Sequence, residues 1–309
     1  MNAPEKSSQT LYPSYEQKQP QIIQDKRKGL STLIIMMWIA LVAMVGCTVT
    51  AELIPLNGVT TKEVSDSLFV LFSPAGYVFS IWSLIYVGLF VWLTVFTARL
   101  RESGYLMYVS SPMKAKGGIS LWIQNEYFEK MAALFIATCA LNVIWLITWH
   151  FMAYFASVFV MIGLLATLAS LYFTLKHSEE LSPKPLSFMD KLCWLAPISL
   201  YLGWISVALV ANVSFVLTDI SLTVPWVPAG ELLLVFVLTV IGAGLVSRFH
   251  FDDYVIPGVF IWALIGIGVK LLPVFSTLAI GILVLTALFS LVIYAPWMRR
   301  RKKKVAHAE

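Results

Sequence analysis

Ser73-Pro74-Ala75-Gly76-Tyr77-Val78-Phe79-Ser80-Ile81-Trp82-Ser83-Leu84-Ile85-Tyr86 decides how this chain is read. A proline turn runs straight into an uncharged apolar helix, and Phe79, Trp82 and Tyr86 follow at spacings of three and four. Such positions share one face of a helix, so the three rings line up. Two other apolar stretches repeat the device. One holds Leu141-Asn142-Val143-Ile144-Trp145; the other holds Tyr201-Leu202-Gly203-Trp204, followed by Ala208 and Asn212. Inward rings, with a lone asparagine on each of two helices, describe the lining of an intramembrane pocket.

The composition sets the class. Of 309 residues, 59% are hydrophobic and only 13% charged, and the mean hydropathy is +0.81. A soluble domain is about half apolar and about a quarter charged. The predicted fold is therefore all-α, a polytopic membrane helix bundle. At about 20 apolar residues per crossing, eight stretches qualify: 32–51, 77–98, 131–151, 153–175, 193–215, 231–248, 255–273 and 276–296. Only His150 and its neighbours divide the third from the fourth. Residues 1–30, rich in Pro, Gln and Lys, read as a disordered tail. The first apolar run begins too late for a secretory signal, so the first helix is expected to stay as an anchor.

The lysines and arginines set the topology. With eight spans, twenty fall on one side: five in the N-terminal tail, five between spans 2 and 3, three between spans 4 and 5, Arg248, and the run Arg299–Lys304. Lys62 and Lys270 fall on the other. The expected arrangement is a multi-pass cell-membrane protein with both termini cytoplasmic. The net charge of +5 is then a topology signal rather than a nucleic-acid surface. The terminal basic run also suits anionic lipid head groups.

Membrane-embedded ionisable groups usually mark ion or proton pathways, yet the acidic residues avoid the centres of these spans. That argues against a proton- or sodium-coupled transporter and leaves no catalytic acid or base in the interior. Cys47, Cys139 and Cys193 form no Cys-x-x-Cys pair and read as small hydrophobes. The four histidines are scattered, so no metal site is expected, and nothing calls for a cofactor. Gly242, Gly244, Gly258, Gly266, Gly268 and Gly281 offer close helix approach in the last three spans. The segment Glu102–Glu129 reads either as an interfacial helix or as a loop running into an early start of the third span. Trp92, Trp149, Trp194, Trp226 and Trp297 lie nearer helix ends and are assigned to interfacial belts.

The quoted motifs resemble the TspO/MBR family of tryptophan-rich sensory and translocator proteins, over about residues 31–217. Pro74 stands at one proline of the family's double proline, and Tyr77 where the family usually has tryptophan. Trp82 and Tyr86 match the second helix, Asn142 and Trp145 the third, and Tyr201, Trp204 and Asn212 the fifth. The resemblance implies a five-helix core over 31–217; beyond it, the apolar stretches and the basic run read as a three-helix extension over 218–298 and a basic cytoplasmic tail at 299–309. It also implies ligand-binding roles for Pro74, Trp82, Tyr86, Asn142, Trp145, Tyr201, Trp204 and Asn212, around a porphyrin- or sterol-like molecule, and Phe79 joins them as a ring on the same face as Trp82. The chain departs from the family in its first loop. Pro55–Ser73 has no tryptophan, which removes the family's tryptophan lid over the pocket.

Three functional readings follow. One is a binding or sensory protein for a hydrophobic small molecule such as a tetrapyrrole or sterol. Another is a membrane enzyme degrading tetrapyrroles oxidatively. The third is a ligand-free scaffold whose rings are packing and whose asparagines join helices. A homodimer is compatible with all three.

Overall fold

The computed structural model describes residues 15–102, 118–180, 187–223 and 229–295. Nine helices organise them: α1 (Tyr15–Leu53), α2 (Thr61–Asp66), α3 (Ile81–Glu102), α4 (Gly118–His150), α5 (Tyr154–Glu180), α6 (Ala196–Thr223), α7 (Ala229–His250), α8 (Val255–Leu271) and α9 (Ser276–Tyr294). Among the described residues there is no strand. Trp226, Trp297 and the run Arg299–Lys304 lie outside the described residues.

Seven of these helices are long and apolar enough to cross a membrane, and α8, at 17 residues, is shorter. At 1.5 Å per residue it extends about 25 Å, yet it joins the same two faces as its neighbours. At its start, Tyr294 Oη donates to the Tyr254 carbonyl at 2.9 Å and Arg248 Nε to the Ile293 carbonyl at 3.3 Å. At its end, Lys270 sits over the Phe69 ring in the first loop, 5.8 Å from its centroid. The chain is thus a multi-pass bundle of seven helices of spanning length with the shorter α8 packed among them, one fewer than the eight spans expected. Lys62 and Lys270 gather at one end. Arg99, Lys176, Lys191 and Arg248 gather at the other, paired with Asp190, Glu179 and Asp252.

Physical chemistry accounts for the boundaries. The α4–α5 turn is tight, with Met152 in the left-handed region at φ 57°, so the third and fourth stretches are separate helices. The helix α4 already begins at Gly118, which favours the early-start reading of that segment over a separate interfacial helix. Residues 15–30, expected as tail, form the first turns of α1. Their Gln and Lys residues propagate a helix readily once the apolar part nucleates it. Before α6, Ser187 and Asp190 cap a first turn reciprocally, and a π-turn follows at Lys191–Leu195. Pro197 explains the π-turn, because its nitrogen cannot complete the regular ladder.

The outer surfaces of the spans are apolar, with Ile35, Val42, Leu84, Phe90, Phe155, Phe159, Leu288 and Leu291 exposed. Inside, α4 packs on α1 and α5, and α6 on α3, α5 and α8. The short α8 is the most enclosed of the last three helices and is apolar all round, as a buried helix is expected to be. Among their glycines, Gly244, Gly258, Gly266 and Gly268 do sit at close approaches, whereas Gly242 and Gly281 face open space.

Two of the tryptophans assigned to interfacial belts are core residues instead. Trp92 and Trp194 are buried and stack on each other at 5.8 Å, with Phe135 and Phe96 against them. Nearness to a helix end does not say which face a ring occupies. Here that face meets another helix, and burying ring area outweighs placing the indole at the membrane surface.

At the same end, Asp253 ties three helices together. Its Oδ2 accepts from Tyr172 Oη at 3.0 Å and Ser199 Oγ at 2.6 Å, and its Oδ1 from the Val255 and Ile256 amides at 2.8 and 3.1 Å. Asp253→Ala strands those four donors and is expected to destabilise the bundle by about 3 kcal/mol, read as a lowered thermal midpoint in detergent.

Candidate functional site

The three motif helices converge. Phe79, Trp82 and Tyr86 are carried by the 3-10 turn Gly76–Ser80 and by α3. Asn142 and Trp145 come from α4, and Tyr201, Trp204 and Asn212 from α6. Between them lies a cavity of about 50 Å3 lined by Pro74, Phe79, Trp82, Trp145, Trp204 and Asn212, six of the nine anticipated residues. The lining is edge-to-face and stacked aromatic surface. Trp204 meets Phe79 at 5.8 Å and Trp82 at 6.2 Å, near perpendicular in both cases.

The other three anticipated residues lie one layer deeper. Tyr86 stacks on Trp82 at 5.6 Å. Tyr201 is fully buried, touches Trp82 at 6.0 Å, and accepts a 2.7 Å hydrogen bond from Asn142 Nδ2. These groups form the floor that holds Trp82 rather than the cavity wall. At the cavity edge, Asn212 Nδ2 donates to Ser157 Oγ at 3.0 Å, and Ser157 donates onward to the Tyr154 carbonyl at 2.7 Å.

Several lining residues were not anticipated: Thr61, Ser65, Ser73, Trp149, Val207, Ala211 and Phe215, with Ala208 on the stripe already noted. Trp149, expected in an interfacial belt, is buried. It stacks on Trp145 at 5.9 Å and meets Phe215 edge-on at 5.2 Å. Its spacing of four from Trp145 was the available signal. Val207, Ala211 and Phe215 likewise extend the Trp204–Ala208 stripe at helical spacing.

The first loop covers the cavity without any tryptophan of its own. Asn57 and Gly58 take left-handed conformations, at φ 56° and 76°, and turn the chain back over the end of α4. Asn57 Nδ2 then donates to the His150 carbonyl at 3.2 Å. Trp149 Nε1 reaches across to the Thr61 carbonyl at 3.3 Å, so a tryptophan of α4 pins the lid from below. His150 Nδ1 donates to the Leu146 carbonyl at 2.7 Å, and its Nε2 faces Thr61 Oγ1 at 3.5 Å.

The lid helix α2 is stabilised by a reciprocal cap. Thr60 Oγ1 accepts from the Glu63 amide at 3.2 Å, and the Glu63 carboxylate accepts from the Thr60 amide at 2.7 Å. That backbone bond, with the Thr60 hydroxyl, holds the Glu63 carboxyl below its usual value. A lowered carboxyl pKa contributes stability that is present above the unfolded-state pKa and lost as pH falls through the folded-state pKa. The cap is thus fully formed at neutral pH and loosens in acid. Thr60→Ala should speed amide hydrogen exchange across Thr61–Asp66 by roughly fivefold, a typical cap loss. The wild-type lid should approach that behaviour, after correction for intrinsic chemistry, once Glu63 is protonated.

Polar satisfaction around the cavity is uneven. Among the described residues, the indole N–H groups of Trp145 and Trp204 are buried without a hydrogen-bond partner. Among the described residues, no acidic or basic side chain lines the cavity, and no group of His, Cys, Asp and Glu residues is placed to hold a metal ion.

Comparison with known proteins agrees with these motifs. The family model described as TSPO-like protein matches residues 34–295. No curated protein and no solved structure matches the chain. The match runs through all seven helices of spanning length and α8, past residue 217 where the motif resemblance ends, and on that extent the chain belongs to the TSPO-like protein family.

Proposed function

We propose that this chain is an intramembrane binding or sensory protein whose aromatic cavity receives a hydrophobic small molecule of tetrapyrrole- or sterol-like kind. The observation that carries the reading is the cavity itself. Four tryptophans, Trp82, Trp145, Trp149 and Trp204, converge on it from three helices, and two of their indole donors are unpartnered. Buried donors normally find partners, and an apolar ligand carrying an acceptor would supply one. Large rings also present flat area on which a conjugated or fused-ring molecule stacks.

The cavity volume limits how this works. At about 50 Å3 it is roughly a third of the 150 Å3 cavity known to hold benzene. A porphyrin or sterol therefore requires the lid segment 55–73 to move. The first half of the lid is suited to this, since it is a turn and a six-residue helix rather than a membrane span; Val70 and Phe72 at its far end stay buried. We further place both termini in the cytoplasm, because Lys62 and Lys270 occupy one face and the other described basic pairs the opposite one.

Binding is tested with protoporphyrin IX and cholesterol as probes, read by ligand-induced thermal stabilisation in detergent. Trp204→Ala should weaken binding by about 1–3 kcal/mol, the range for losing a packed aromatic anchor. Trp38→Ala, on α1 against Phe90, should leave it unchanged. Equal binding by both folded variants would mean that the stripe is packing. Loss of added porphyrin under illumination, absent in Trp204→Ala, would support the oxidative-enzyme reading instead. Topology is checked by reporters fused after Lys304 and within 55–73; an external reporter at Lys304 would overturn the orientation.

A further inference from the structure

We propose that α8, beyond the motif helices, is part of the ligand site: Gly266 and Trp262 position the Pro74–Phe79 wall of the cavity. The inference rests on reading that cavity as a ligand site. It gives the last three spans a role in binding.

The wall is a short irregular segment. Pro74 and Phe79 line the cavity, and between them the chain forms only the 3-10 turn Gly76–Ser80. One of its anchoring hydrogen bonds comes from another helix: the Ala75 amide donates to the Gly266 carbonyl at 3.1 Å. A second tie runs back from α8, where Trp262 Nε1 donates to the Val78 carbonyl at 3.3 Å. The Trp262 ring also meets Tyr77 edge-on at 5.4 Å.

Gly266 makes this approach possible. A Cβ there would fall on Val78 Cγ2 and lie 3.3 Å from Pro74 Cβ. Val78 is fully buried and β-branched, so it has no free rotamer to retreat into. A glycine inside a helix is less favourable than alanine, and here close contact with the wall offsets that cost. Gly281, on α9, has nothing within 4 Å and serves as the contrast.

The opposite wall rides on α8 as well. A Cβ on Gly203 of α6 would stand 3.1 Å from Val259 Cβ and 3.3 Å from Ile256 Cα. Trp204, Val207 and Ala208 of α6 line the cavity immediately beyond. Both walls are therefore registered against one helix, so a shift of α8 alters the distance across the pocket.

The test reads the cavity directly. Ala208→Cys places a thiol on the lining, and its reaction with methyl methanethiosulfonate is followed site by site by mass spectrometry on the full-length protein in detergent. Adding Gly266→Ala should change that rate by about fivefold or more, as expected for overpacking a close contact. Adding Val78→Ala as well removes the overlapping methyl and should restore the original rate. Gly281→Ala should have no effect. Trp262→Phe keeps a ring against Tyr77 but deletes the N–H, and should shift the rate in the same direction as Gly266→Ala. It carries the test alone if Gly266→Ala fails to insert. An unchanged rate in whichever of these two variants folds, or no rescue by Val78→Ala, overturns the proposal. A separate arm adds protoporphyrin IX or cholesterol before labelling. Failure of both to protect the thiol, with the rate pattern intact, counts against the ligand reading and leaves the wall registration standing.

Discussion

Every polar group in the hydrocarbon layer must find its partner within the protein, and this constraint organises the bundle. Hydroxyls on the spans mostly bond back to their own helix, as Thr97 does to Leu93, Thr167 to Gly163, Ser206 to Leu202 and Thr286 to Ile282. Where that local solution is unavailable, polar side chains join helices. Asn142 binds Tyr201, Asn212 binds Ser157, and Asp253 gathers two hydroxyls and two amides. The exceptions carry weight against this background. Among the described residues, the buried polar atoms left without partners belong to Tyr86, Trp92, Thr138, Trp145 and Trp204. All five lie on α3, α4 and α6, the helices that enclose the cavity and its floor. Incomplete polar satisfaction is thus concentrated along one three-helix seam.

Much of the fold was legible because hydrophobic run length and helical spacing are local properties. Each of the eight apolar stretches became a helix, seven of them of spanning length and the one at 255–273 shorter, and the sharing of a face by Phe79, Trp82 and Tyr86 followed from their spacing alone. What escaped was non-local. No rule of spacing shows that Trp92 meets Trp194 across a helix interface, so both were placed at the membrane surface. Trp149 failed for a related reason, since its nearness to the chain turn at His150 masked its register with Trp145. The lid escaped because it was sought as tryptophans within the loop. Its pin is instead a tryptophan of α4 donating to a loop carbonyl, together with the cap between Thr60 and Glu63.

The glycines show the same divide. A count of glycines in the last spans signals close packing but cannot say which of them meet a neighbour. Gly266 and Gly268 do, Gly242 and Gly281 do not, and nothing in the local sequence separates the two pairs. Their difference depends on where α8 sits, and α8 is itself unusual in being short and enclosed.

Size and closure pull against each other at the cavity. The closed lid leaves space for a few atoms, while the aromatic surface beneath it is far larger than such a ligand could use. The walls are the firm part of the arrangement. Pro74 through Phe79 is tied to α8 by backbone and indole hydrogen bonds, and α6 is pressed against α8 at Gly203. The lid is softer in its first half, where the left-handed Asn57–Gly58 turn, the Asn57–His150 bond, one capping box and one indole bond hold it, than toward Val70 and Phe72, which are buried. The two ends of the lid segment therefore differ in kind: hydrogen bonds of Thr60, Glu63 and Trp149 hold its first half, and core packing of Val70 and Phe72 holds its second.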